Sequence, residues 1–293
     1  MSIVDYLARA ASAVSNVGLP GSGLAEELSE RINRIPAELN DYGYDPWGYN
    51  PEVLKAGMLA PAFLHRYYFR TIIEGLENLP GGRMLLIGNH AGQVAFDGMV
   101  VAATLILDAE PPRLARGMGE YWLGTLPWIN VFLDRMGSSV GTPRTCADML
   151  RNEECVLAFP EGVRGMNKVY AEAYQLQEFG SGFMRLALET GSPIVPFAVV
   201  GSEEQAPGIA NLKKVGSMFG MPAFPITLTW PWLGPLGMIP LPVRYYLEFG
   251  QPMFFEGDPN DEDDVIEEKV REVRSTVQEM LRRGLAKRRS IFL

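Results

Sequence analysis

The chain has 293 residues, 47% hydrophobic and 21% charged, with 26 Lys+Arg against 35 Asp+Glu for a net charge of −9. That composition suits one large folded core and excludes disordered and fibrous chains. The acidic balance argues against whole-molecule attraction to nucleic acid, and Cys146 and Cys155 lack partners at zinc or disulfide-framework spacing, so both are expected reduced and buried.

The N-terminus, MSIVDYLARAASAVSNVGLP, has no basic leading region and carries Asp5 and Arg9 inside its apolar stretch. It does not read as a secretory signal, and a cytoplasmic setting is expected. Helical patterns follow over 3–15 and 24–35, then an aromatic loop, DYGYDPWGYNPE, so that 1–50 is an N-terminal extension. The stretch from Pro51 to Phe69 reads as an amphipathic helix interrupted near Pro61. It suits a bilayer surface and a protein core equally.

From Thr71 onward short β-type runs (TIIEGLENL, RMLLIGN, RLARGM, CVLAFPEG, PIVPFAVVG, RYYLEFG) alternate with helical ones, the first of them over 96–107. The alternation predicts an α/β domain over 51–260, a largely parallel mixed sheet flanked by helices. Residues 261–293 are expected to form a C-terminal helix on the same domain. Its first turn is acidic, and Arg282, Arg283, Lys287, Arg288 and Arg289 crowd its last turn, matching the helix dipole.

Between Val215 and Val243 lie 29 consecutive uncharged residues. As a helix they would extend about 43 Å, enough to cross a bilayer. Six prolines interrupt them, however, and at about 3 kcal/mol for each interior proline a continuous helix is excluded. Two readings stand: a loop packed under the sheet, or a surface facing a membrane or an acyl chain.

The segment LLIGNHAGQVAFDGMVV places His90 just after a buried strand and Asp97 at the start of a helix, where open α/β sheets keep their active sites. A histidine held in one tautomer by a carboxylate serves as a general base near neutral pH. In one continuous helix the two residues would sit about 10.5 Å apart along the axis, so pairing requires the loop to fold back, which Gly92 permits. A second segment, CVLAFPEGVRG, ends a strand in a glycine-flanked turn with Glu161 and Arg164, suited to a phosphate or carboxylate head group. Arg135, Arg144 and Lys168 are candidates to add positive charge to that face. Residues 137–141 spell G-x-S-x-G, but both histidines, His65 and His90, precede Ser139, against the order of an α/β-hydrolase.

Taken in order, GNHAGQVAFD, VFLDRMG, FPEGVRG and PIVPFAVVG resemble the blocks of the PlsC-like glycerolipid and lysophospholipid acyltransferase superfamily, over roughly 74–254. The resemblance implies a glycerol-3-phosphate acyltransferase-like fold and His90 as the base, oriented by Asp97. It further implies acceptor-site roles for Arg135, Glu161, Gly162 and Arg164, and support of the acyl-donor side by Pro196. Here six residues separate His90 from Asp97 where the family has four, and Ile129 stands where the second block has glycine. The implied reaction moves a fatty acyl group from acyl-CoA or acyl carrier protein to a lysophospholipid hydroxyl of the 1-acylglycerol-3-phosphate type. The enzyme would lie peripherally on the cytoplasmic face of a membrane, with no metal or redox cofactor and no nucleic acid. The alternatives are a mono- or diacylglycerol acyltransferase and a catalytically silent lipid-binding protein of the same fold.

Overall fold

A computed structural model describes residues 23–92, 95–119, 128–218 and 223–292, so the helix expected over 3–15 lies outside the described residues. In chain order the elements are α1 (Leu24–Asn33), α2 (Pro51–Phe63), β1 (Ile72–Glu74), β2 (Met84–Gly88), α3 (Phe96–Leu107), β3 (Ala115–Gly119), α4 (Ile129–Arg135) and β4 (Ser139–Val140). There follow α5 (Pro143–Arg151), β5 (Cys155–Ala158), α6 (Val163–Met166), α7 (Gly182–Thr190), β6 (Ile194–Val200) and α8 (Ser202–Gln205). The last are β7 (Gly208–Leu212), α9 (Lys213–Met218), β8 (Phe224–Thr227), β9 (Tyr246–Phe249) and α10 (Asp263–Lys287). Two compact units result. One holds the described residues up to Arg70 and those of Met99–Gly141; the other holds those of Thr71–Gly98 and from Thr142 onward.

In the first unit Leu24, Leu28 and Ile32 of α1 fall four residues apart, forming one apolar stripe. They cluster with Leu54, Met58 and Ala62 of α2 and with Ala103, Ile106 and Leu107 of α3. Asn50 caps α2 by accepting the Val53 N–H at 3.1 Å, with Pro51 in the first turn where its missing N–H costs nothing. The expected interruption at Pro61 does not occur: α2 runs through it to Phe63, and the irregularity falls just beyond, in a wide π-turn over Leu64–Tyr68. The aromatic loop is pinned by hydrogen bonds and ring contacts. Asp45 accepts the Trp47 and Tyr49 amides at 2.9 and 2.8 Å and the buried Arg116 at 2.6 Å, while the Arg116 guanidinium lies over both rings. Strands β3 and β4 pair in parallel.

In the second unit five strands run in the order β1-β9-β6-β2-β5, parallel except where β9 meets β6. Every residue of β2 and β6 is buried, which is why both read as continuous apolar runs rather than alternating ones. Helix α10 covers β6 with a stripe of Ile266, Val270, Val273, Val277, Met280 and Leu281. Each such side chain contributes about 1.5–3 kcal/mol on burial. Gly284 lets the helix approach closely, since a Cβ there would stand 2.9 Å from Val200.

The described residues of the uncharged run of 215–243 form the end of α9, strand β8, which pairs antiparallel with β7, and a series of turns. Several of its backbone groups are satisfied locally: the Thr227 amide donates to the Trp230 carbonyl, Leu233 to Thr229, Gly234 to Pro231 and Ile239 to Leu236, at 2.8–3.2 Å. Six apolar side chains of 228–239 turn outward, with Trp232 and Leu236 each 68% exposed beside Leu228, Leu233, Met238 and Ile239. These residues therefore do not pack under the sheet. Among the described residues, no helix is long and apolar enough to cross a membrane.

Candidate active site

Strand β2 delivers its last residues to the carboxyl edge of the sheet, and Asn89 extends the pairing one step beyond the strand. Its side-chain amide donates to the Val199 carbonyl at 3.0 Å and its oxygen accepts the Val199 N–H at 2.8 Å, mimicking a peptide rung on β6. His90 follows, and its own N–H donates to Glu161 Oε1 at 3.0 Å. The backbone that carries the imidazole is thus fixed from two sides.

The chain then turns back at Gly92, which has a φ of +90°. A Cβ at this position would collide with the Ser202 carbonyl and the Gln205 amide, so only glycine makes the turn without displacing α8. The reversal brings Asp97, on the first turn of α3, to His90: Nδ1 lies 2.8 Å from Asp97 Oδ2. The same carboxylate accepts the Ala91 and Gly98 amides at 2.9 and 2.8 Å and is fully buried. An acceptor so committed holds the proton on Nδ1 and leaves Nε2 as the basic nitrogen. Phe159 stacks on the imidazole at 4.2 Å and 17° between planes, limiting its rotation, and 9% of the side chain stays exposed. The imidazole is thus held in one orientation, with a small part of its surface reaching solvent.

Glu161 lies beneath His90, sealed from solvent, with Oε2 accepting the Gln177 amide at 2.7 Å. Gly162, at φ 55° and ψ −147°, turns the chain into α6 through a region open only to glycine. The second unit therefore gathers His90, Asp97, Glu161 and Gly162. Arg164 stands outside that hydrogen-bonded group: it donates to the Glu178 carbonyl at 3.1 Å and pairs with its carboxylate at 3.7 Å, with 58% of its side chain exposed. Pro196 is a buried residue of β6 beside Ile87 of β2, its carbonyl accepting the Gly250 amide at 2.7 Å. Arg135 belongs to the first unit, where it donates to the Gly48 carbonyl at 3.0 Å and lies over the Tyr44 ring. Ser139 sits in extended backbone in β4 rather than on a strand-to-helix elbow. Among the described residues, no group of three or more His, Cys, Asp or Glu is placed to hold a metal ion.

Lys168 departs from expectation. Instead of charging an open face it is buried, with Nζ 3.0 Å from Glu203 Oε1 and 3.5 Å from Glu161 Oε2. Sequence reasoning passed over Asn89, Glu203, Glu204 and Gln205. For the last three a signal was present, since GSEEQ, following the seven buried residues of β6, carries the long polar side chains of Glu203, Glu204 and Gln205 at the same sheet edge as His90. All three of these side chains are braces. Glu204 receives Arg288 at 2.6 Å and the Tyr174 hydroxyl, and Gln205 receives the Tyr245 hydroxyl. Burial, and next the neighbouring Glu204, hold the Tyr174 phenol well above its ordinary pKa, so it acts there as a donor.

The model of the Acyltransferase family matches residues 70–200, the interval holding His90, Asp97, Arg135, Glu161, Gly162, Arg164 and Pro196 and ending just before Glu203. An uncharacterized protein of Mycobacterium tuberculosis is 34% identical over 259 residues, covering 86% of this chain and 72% of that one. A probable 1-acyl-sn-glycerol-3-phosphate acyltransferase of Mycoplasma pneumoniae is 27% identical over 184 residues, 59% of this chain and 66% of that protein. Among solved structures, the 1-acyl-sn-glycerophosphate (LPA) acyltransferase PlsC of Thermotoga maritima shares the fold, with a TM-score of 0.50, 17% identity, and coverage of 81% of this chain and 83% of that one. The chain belongs to the PlsC-like acyltransferase superfamily and is an acyltransferase.

Proposed function

We propose that the chain transfers a fatty acyl group from acyl-CoA or acyl carrier protein to the hydroxyl of a lysophospholipid of the 1-acylglycerol-3-phosphate type, at a membrane surface. The observation that carries this is the His90–Asp97 pair, 2.8 Å apart at the carboxyl edge of β2. His90 Nε2 takes the proton of the acceptor hydroxyl as its oxygen attacks the thioester carbonyl. The tetrahedral intermediate then collapses, the C–S bond breaks, and the imidazolium returns its proton to the departing thiolate. Asp97 holds the tautomer throughout and stabilises the imidazolium between the two transfers. No covalent acyl-enzyme is required.

Arg164 favours a second acceptor class. With its guanidinium already held by Glu178, its charge is partly neutralised, and a mono- or diacylglycerol needs no phosphate-binding cation there. The membrane setting is supported by the outward apolar side chains of 228–239, whose backbone polar groups are largely satisfied locally and so tolerate an apolar surround. We place the protein peripherally on the cytoplasmic face.

The test is acyl transfer by the purified chain from acyl-CoA, and separately from acyl carrier protein, to lysophosphatidate, monoacylglycerol and diacylglycerol, beside His90→Ala. Activity with lysophosphatidate that is lost in His90→Ala supports the first reading, and activity only with the uncharged acceptors supports the second. Equal rates in both proteins would reject His90 as the base, and lipid binding without transfer would make the chain a silent binding protein.

A further inference from the structure

Three buried charges from three segments meet below the His90 loop. Lys168, its side chain 1% exposed, stands between Glu203 and Glu161 and also donates to the Gln175 carbonyl at 3.4 Å. Glu203 accepts the Tyr174 amide at 3.2 Å from the far side. Glu161 passes the constraint on, since its Oε1 receives the His90 amide. Burial holds the Glu203 carboxyl above its ordinary pKa, and the Lys168 ammonium opposes that shift without cancelling it, as expected when one cation serves two carboxylates without solvent.

The geometry leaves little slack. A Cβ at Gly165 would stand 2.7 Å from the His90 carbonyl and 2.8 Å from the Glu161 side chain, so α6 closes directly on both residues. Seven residues after Glu161, the chain has folded back far enough for Lys168 to reach that carboxylate.

We propose that Lys168 and Glu203 are positioning residues for His90, the ammonium fixing the Glu161 carboxylate where it receives the His90 amide and Glu203 fixing the ammonium. This rests on the reading of His90 as the base. Neither residue touches the substrate, because Lys168, Glu161 and Glu203 are all sealed. Without Lys168 the two carboxylates repel, Glu161 relaxes, and the imidazole is displaced relative to the acceptor.

The chain contains only two histidines, so isotope-labelled rings give two sets of NMR signals, assigned with His90→Ala. In Lys168→Met the His90 signal is expected to move or broaden while that of His65 stays. The kcat should fall roughly 10- to 100-fold with KM nearly unchanged, because a small misplacement acts on the chemical step. Lys168→Arg should restore both readouts. Should Lys168→Met fail to fold, the double variant Lys168→Met/Glu203→Gln removes one charge of each sign and is expected to show the same His90 displacement. An unmoved His90 signal with unchanged kcat in either folded variant overturns the proposal, as does equal movement of both histidine signals. The ring signals are read without substrate, so an inactive wild-type chain bears on the acyl-transfer reading and leaves this inference to the spectra.

Discussion

The imidazole of His90 and the carboxylate of Asp97 lie 2.8 Å apart although six residues separate them along the chain. The chain reverses at Gly92, and the pair forms across a spacing two residues longer than the four of the family pattern that the sequence resembles. Asp97→Asn replaces an acceptor by a group that can also donate, and it no longer selects the Nδ1–H tautomer. The expected result is a kcat lowered about 10²- to 10⁴-fold with KM within about threefold. A kcat within threefold of wild type would remove Asp97 from the reaction.

Gly92→Ala tests the reversal itself. The left-handed backbone costs an alanine about 1–3 kcal/mol, and its Cβ must also displace the Ser202 carbonyl or the Gln205 side chain. Denaturant unfolding should show a loss of at least that size, accompanied by loss of acyl transfer. Unchanged stability would mean that the loop has another path available.

Membrane attachment is read by liposome flotation of Trp232→Ser/Leu233→Ser/Leu236→Ser. All three side chains are exposed, so the variant should keep its thermal midpoint. Removing them withdraws several kcal/mol of apolar burial, and bound protein should fall more than about 100-fold. Flotation equal to wild type would assign attachment to another surface.

Burial pushes the Cys146 thiol up to about 11. A raised pKa lowers the thiolate fraction, so at pH 8 the native thiol should react roughly 100-fold more slowly with a disulfide reagent than the unfolded chain does. Both cysteines are buried, and rapid labelling of Cys146 in the native protein at that pH would show that α5 opens readily.

Much of the architecture follows from local pattern. Met84–Gly88 and Ile194–Val200 read as central strands because a strand covered on both faces has no polar alternation. The stripe of Ile266, Val270, Val273 and Val277 likewise declares α10 from its spacing alone. His90 and Asp97 were legible as candidates because one follows a buried run and the other opens a helix. What those patterns omit is the partner of a polar side chain. Glu161 and Lys168 look like surface charge in FPEGVRGMNK, yet the fold commits them to a backbone amide 71 residues upstream and a carboxylate 35 residues downstream. The apolar run of 215–243 has one composition whether it faces inward or outward. Burial depends on which elements meet in three dimensions, and that long-range encounter turned Trp232 and Leu236 outward and Lys168 inward.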